Sequence, residues 1–379
     1  MSLTRTNVAI SAKREQSRWR SLDPVLLLVS VALSIFGIVA VYVAGTDGRE
    51  TYAVNQSIGF VVGLVGAVPL ALIDYRVWQR HLRIVYLAAI LMLLAVIGTG
   101  VVVGGAQRWI DIGPVQVQPS EFAKALMVVV LAGYFAERPV GEGSVFLKAL
   151  GILAVPAALV FVQPDLGTAL VFGAVFFVMA YVAGARLLHL ATLAAFGFAS
   201  FALAVRLRIL EPYQVARLTA FMNPEEAGDV GYQVEQSKMA IGSGGLTGKG
   251  LDATTLANLG FLPEDHTDFI FSNLAERIGF VGSMLLLVLF FLLVWRILHI
   301  ATISRDRFGV LICVGIATIF LFHVFVNIGM TMGIMPVTGI PLPFISYGRS
   351  SLVVSVMSLG LLQSIAMRSR ADISRHPKV

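Results

Sequence analysis

Ten runs of apolar side chains, each close to the length of a lipid bilayer's core, constrain this chain more than any other feature. A helix that spans the hydrocarbon needs about 20 apolar residues. Runs that fit cover 22–45, 57–74, 84–105, 121–136, 145–163, 167–184, 187–205, 277–301, 308–333 and 344–367. The fourth is the shortest and carries Lys124. The first is too long for a signal-peptide core and has no clear cleavage site, so it reads as a span. Composition agrees: 57% of the 379 residues are hydrophobic and 13% charged, against about 25% charged in a soluble domain. In water such a chain would leave large apolar patches exposed. The expected fold is all-α. It is a single polytopic membrane domain over 22–367, with tails at 1–21 and 368–379 and one long connection at about 206–276.

An even number of spans puts both termini on one face. The N-terminal tail carries Arg5, Lys13, Arg14, Arg18 and Arg20, and the second loop Arg76, Arg80 and Arg83. Arg296, Arg305 and Arg307 surround the eighth loop, and Arg368, Arg370, Arg375 and Lys378 close the chain. Arg138, Lys148 and Arg186 fall on the same face. The positive-inside rule makes that face, and both termini, cytoplasmic. The net charge of +6 is thus accounted for by topology. It is not gathered into a basic patch with interleaved aromatics, so no nucleic-acid partner is expected. Cys313, the single cysteine, lies in an apolar run and reads as a small buried hydrophobe. The 206–276 connection is external by this rule, and its length points to function. Within it, 232–241 reads as a short interfacial helix. The glycine-rich stretch 242–245 suits a hinge or a close approach to a ligand.

Polar residues gather at the external ends in four clusters. The first is Arg108-Trp109-Ile110-Asp111 with Gln118-Pro119-Ser120-Glu121-Phe122-Ala123-Lys124. Pro119 suits a helix start and Glu121 its positive end. Lys124, three residues on, shares the face of Glu121. Either it snorkels to the interface, or, at an end that disfavours cations, it has a partner and a role. The second is Gln163-Pro164-Asp165-Leu166-Gly167-Thr168, where Asp165 is either a helix cap or a site residue. The third, 262–271, runs acidic residues into an apolar segment. Asp268 is the last charge before the membrane, a candidate acid/base group or a cap. His266 beside it is a proton carrier or a wet loop residue. The fourth holds Asn327 and the run 336–348, with Pro336, Pro341, Pro343 and Ser346. Three prolines so close exclude regular helix, and non-helical backbone at membrane depth must be buried in protein or line a wet cavity. Boundary charges imply partners, and Lys124 with Asp268 is the expected pair. No metal-ligand spacing, phosphate-binding loop or dinucleotide fingerprint is present.

Together these clusters resemble the SEDS family (shape, elongation, division and sporulation proteins). The matching motifs are Arg-Trp-Ile-Asp…Gln-Pro-Ser-Glu at 108–121, Gln-Pro-Asp-Leu-Gly-Thr at 163–168, Gly-Tyr-Gln at 231–233, His-Thr-Asp-Phe-Ile-Phe at 266–271 and the proline-rich run. Residues 236–250 resemble the elongation branch (RodA) more than the division branch (FtsW). The resemblance implies a peptidoglycan glycosyltransferase that joins lipid II on the outer face of the bacterial cytoplasmic membrane. It implies a class B penicillin-binding protein, and other elongation-complex membrane proteins, as partners. It maps the family's essential aspartate onto Asp268 and its glutamate and lysine onto Glu121 and Lys124. One departure is Arg349, where the family has glycine; it either assists phosphate binding or crowds a tight approach.

Such a reaction needs a base, positive charge for the departing pyrophosphate and a groove for polyprenyl chains. Asp268 is the expected general base, with Lys124 holding it ionised or reaching a phosphate. Arg108, Lys238 and Lys249 are candidate pyrophosphate contacts. Asp165, His266 and Ser346 are further candidate substrate contacts, and a divalent cation could share the phosphate work. Two other classes compete: a lipid II flippase and a non-enzymatic scaffold for cell-wall synthases. A flippase places its site near the midplane between inverted repeats, whereas these clusters lie on one side.

Overall fold

In the computed structural model, residues 21–44, 49–103, 106–113, 115–207, 212–251, 253 and 266–375 are described. Helix α1 covers Pro24–Ala44, α2 Arg49–Leu72, the short α3 Arg76–Arg80, and α4 Leu82–Thr99. Three short strands follow: β1 Val101–Val103, β2 Ala106–Ile112 and β3 Val115–Val117, antiparallel in the order β1-β2-β3. Then come α5 Pro119–Ala136, α6 Gly143–Val162, α7 Leu166–Val182 and α8 Leu187–Arg206. The long connection holds α9 Pro212–Thr219, a 3-10 turn and α10 Gly228–Ser243; α11 Ile270–Ile303, α12 Arg307–Thr331 and α13 Arg349–Arg375 complete the chain. Among the described residues nine helices are long and apolar enough to cross a membrane. The apolar α7, with 17 residues, is the remaining member of the expected ten. The fold is all-α in character, as expected.

Several ends differ from expectation, each for a local reason. Hydropathy carries the third run to residue 105, but the helix ends at Thr99, and the β-branched Val101–Val103 enter the small sheet. The tenth run starts at 344, yet α13 begins at Arg349, because 344–348 belong to the proline-rich loop. The second helix starts earlier, at Arg49, and so includes the polar Asn55 and Gln56. The eighth begins at Ile270 and is broken at Gly279, which has φ +65°. The long connection therefore ends sooner than 276.

The break is mended by the glycine-rich stretch after α10. Lys249 N donates to Glu276 O at 3.0 Å and Gly250 N to Arg277 O at 3.0 Å, while Phe280 N and Val281 N donate to Gly245 O and Leu246 O at 2.9 and 3.0 Å. A Cβ on Gly248 would stand 2.1 Å from Arg277 O, so the contact admits only glycine there. The segment does make a close approach, and what it approaches is another piece of the chain.

Helix packing relies on small residues, since lipid leaves little hydrophobic drive between helices. Gly59, Gly63 and Ala67 repeat every four residues along α2 and face α13: a Cβ on Gly63 would meet Val356 at 2.8 Å, and one on Gly360 would meet Ala67 O at 2.3 Å. Gly37 of α1 lies against the proline-rich loop, where a Cβ would collide with Phe344 O. By contrast α8 contributes only Leu190 to the interior, and Leu187, Leu188, Phe196 and Phe198 are exposed.

The first and last helices meet at one end of the bundle. Asp23 caps α1 through Leu26 N at 2.9 Å and holds Arg296 and Arg370. Burial pushes its carboxyl up, but the bonds to Arg296 and the nearby Arg370 outweigh that and hold it below the usual carboxylate value. At the same end Asp306 caps α12 and pairs with Arg76 at 3.1 Å, while Arg368 reaches the carbonyls of Ala71 and Leu72 and the Asp74 carboxylate. These basic residues are structural joints as well as topological markers.

Candidate active site

The opposite rim gathers the polar clusters. Helix α5 opens with Pro119 at its first position, and Glu121 and Lys124 sit on its buried face, 4% and 3% exposed. Lys124 Nζ donates to Glu121 Oε1 at 2.8 Å and contacts His323 Nε2 at 3.0 Å. The snorkelling alternative is not observed. The structure gives Lys124 to Glu121 and His323, rather than to Asp268 as the sequence suggested. A buried cation at a helix N-terminus is tolerable only with such compensation.

His323 joins this pair to the proline-rich loop, for its Nδ1 lies 3.0 Å from Pro341 O. A carbonyl only accepts and an ammonium only donates. Nδ1 therefore carries the hydrogen and Nε2 offers its lone pair to Lys124. One turn along α12, Asn327 Nδ2 donates to Ile340 O at 2.8 Å and to Asp268 O at 3.0 Å. One face of α12 thus grips both the loop and the segment bearing Asp268. Below the loop a cavity of about 20 Å³ is lined by Glu121, Lys124, His323 and Ser355 among others, room for about one water molecule.

The loop itself is non-helical and largely buried over 337–346, with Phe344 at φ +66°. Ser346 Oγ donates to Thr267 O at 2.7 Å and accepts from Leu342 N at 2.8 Å. Tyr347 N donates to His266 O at 2.9 Å, and the rings of Tyr52, His266 and Tyr347 cluster with centroids 4.9 to 5.8 Å apart. Gln56, fully buried in α2, donates to Ser346 O at 3.1 Å. Arg349 starts α13, and a Cβ on Gly59 would meet its Cα at 3.7 Å and its Cγ at 3.8 Å.

The other candidates divide. Asp165 accepts from Thr168 N at 3.1 Å, from Thr168 Oγ1 at 2.8 Å and from Ser120 Oγ at 3.2 Å. It caps α7 and ties that helix to the start of α5. Arg108, on β2, holds the turn before α7 through the carbonyls of Gln163 and Pro164. Lys249 pairs with the buried Glu276 at 2.6 Å, and the exposed Lys238 lies across Gly333. Asp268 is half-buried, and its Oδ2 stands 3.2 Å from where a Cβ on Gly339 would sit. Arg217 Nη1, from α9, stands 3.2 Å from that same point.

Sequence reasoning passed over His323 and Arg217. His323 precedes Asn327 by four residues, and that spacing was the available signal. Among the described residues no three of His, Cys, Asp or Glu are grouped to hold a metal ion. A divalent cation here would lean on substrate phosphates and one or two carboxylates, as magnesium commonly does.

Together these features define a helical membrane protein that gathers buried and boundary ionisable groups at one rim, beneath a non-helical loop. The chain belongs to the FtsW/RodA/SpoVE family, whose model, described as a cell cycle protein, matches residues 23–371. It is 40% identical to the peptidoglycan glycosyltransferase MrdB of Escherichia coli K12, over 91% of this chain and 93% of that one. It is 36% identical to the stage V sporulation protein E of Bacillus subtilis 168, over 92% and 98%. Among solved structures, the rod shape determining protein RodA of Thermus thermophilus superposes with a TM-score of 0.70 at 30% identity, covering 92% and 97%. A chain from a peptidoglycan synthase complex superposes with a TM-score of 0.78 at 29% identity, covering 92% and 98%.

Proposed function

We propose that this chain is a peptidoglycan glycosyltransferase that polymerises lipid II on the outer face of the cytoplasmic membrane, in cell elongation. The carrying observation is the rim itself: Asp268 is held by Asn327 and the proline-rich loop, and that loop rests through His323 on the buried Lys124–Glu121 pair. Family membership and the relatives called peptidoglycan glycosyltransferase support the activity. The elongation role is supported by the 236–250 motif and the likeness to RodA.

In the reaction, a hydroxyl of one lipid II attacks the anomeric carbon of the other sugar strand. A new carbon–oxygen bond forms, the bond to the pyrophosphate breaks, and the hydroxyl proton goes to Asp268 acting as general base. Lys124, paired with Glu121, contributes positive potential beneath the loop. The solved synthase complex, which by its description coordinates polymerisation and crosslinking, supports a transpeptidase partner of the class B penicillin-binding type. The basic end of the bundle supports a cytoplasmic placement of both termini.

The test is Asp268→Asn, purified and shown to fold. Lipid II polymerisation should fall about 10²–10⁴-fold, the usual worth of a general base. In cells depleted of their elongation enzyme, the native chain should restore rods and the variant should not. Native-like turnover by the variant would remove Asp268 from the mechanism. Lipid II flipping without polymerisation by the native chain would move the assignment to a transporter.

A further inference from the structure

A small cleft beside Asp268 is not used by the mechanism above. It lies between α9, the start of α7, strand β2 and the loop, and is lined by Arg108, Tyr213, Gln214, Arg217, Val337 and Thr338 among others. Three observations mark it as a binding site. First, the half-buried Arg217 guanidinium has no hydrogen-bond or ion-pair partner among the described residues. Second, Thr338 lines the cleft and is 9% exposed, and its buried hydroxyl has no hydrogen-bond partner among the described residues. A buried hydroxyl left unmet is costly, so its retention needs a reason. Third, Gly339, at φ +69°, keeps open the space between Arg217 Nη1 and Asp268 Oδ2, each 3.2 Å from where its Cβ would be.

A guanidinium, a hydroxyl and a second arginine around one recess suit a phosphate group, which offers acceptors and negative charge. The enclosed part, about 20 Å³, takes a group the size of one water or one phosphate oxygen. We propose that Arg217, Thr338 and Arg108 form an anion subsite that binds a phosphate of the lipid-linked substrate beside Asp268. Arg108 spends its Nε and Nη2 on the carbonyls of Gln163 and Pro164, so it braces the recess and lends charge. Arg217 and Thr338 make the contacts. The choice of a substrate phosphate rests on the glycosyltransferase reading; the anion subsite does not.

The experiment titrates inorganic pyrophosphate into full-length protein in phosphatidylcholine nanodiscs, with binding read by calorimetry. The native protein should bind. Arg217→Gln and Thr338→Val should each bind about 10- to 100-fold more weakly, and Arg217→Lys should recover part of the loss. Arg138→Gln, a change at an exposed arginine just past the other end of α5, should bind as the native protein does. Thermal unfolding of each variant separates misfolding from lost contacts. No binding by the native protein, or undiminished binding by a folded Arg217→Gln, would overturn the subsite. In phosphatidylglycerol nanodiscs the titration should be unchanged; loss of pyrophosphate binding there would assign the recess to a lipid headgroup and overturn the substrate reading. In lipid II polymerisation, Arg217→Gln should raise KM more than it lowers kcat. Should the native chain fail to polymerise, the enzymatic reading fails while the pyrophosphate titration still decides the subsite.

Discussion

The buried lysine of α5 shows how one side chain can tie several elements together. Lys124 is matched by Glu121 on its own helix and by His323 on α12, and His323 in turn holds Pro341 O. His323→Leu would orphan the Pro341 carbonyl and one donor of Lys124, at about 1–3 kcal/mol for each group. His323→Asn separates the two contacts. Its amide can replace Nδ1 toward Pro341 but cannot reach Lys124. Its thermal midpoint should fall less than that of His323→Leu while lipid II polymerisation falls, and an unchanged rate would make His323 a purely structural link. Glu121 and Lys124 were legible in the sequence because charges interrupt an apolar run. His323 was not, because a neutral imidazole leaves hydropathy nearly intact. Arg217 was missed because it sits in a polar stretch with Arg206 and Arg208, where one more arginine reads as solvated surface.

At the level of elements, hydropathy locates helices well and their ends poorly. The valines at 101–103 extend an apolar run that the backbone leaves at Gly100, and the break at Gly279 lies inside an unbroken one. The valines depend on hairpin partners at 106–109 and the break on partners at 245–250, and hydropathy records neither. The glycine-rich stretch was recognisable as a close-approach segment, but its partner, the carbonyls of Glu276 and Arg277, was not. The small-residue seam between α2 and α13 carries its own prediction. Gly360→Ala places a methyl 2.3 Å from Ala67 O, backbone that cannot yield without moving the helices apart. Overpacking of this kind costs about 1–3 kcal/mol. The purified variant should unfold at a lower temperature than Gly242→Ala, whose added methyl meets nothing within 4 Å. Equal midpoints would mean that the seam is looser than it looks.

Taken whole, the molecule divides its labour between two ends. One is cross-braced by arginines on Asp23, Asp74 and Asp306, and the other presents the rim with Asp268. Ten apolar segments and the contrast between the ends were readable from composition and spacing. How the rim is assembled was not, since it joins residues from α2, α5, α12 and a loop far apart in the chain. The lone thiol offers a way to learn which end faces outward. Cys313 is wholly buried in α12, so the native protein should be silent to membrane-impermeant maleimides. Any thiol introduced elsewhere then reports alone, with no native residue removed. Glu235→Cys, exposed on α10, should react in intact cells, while Ser144→Cys, exposed at the start of α6, should react only after permeabilisation. The reverse pattern would turn the molecule over in its membrane and put the proposed chemistry on the wrong side for building a wall.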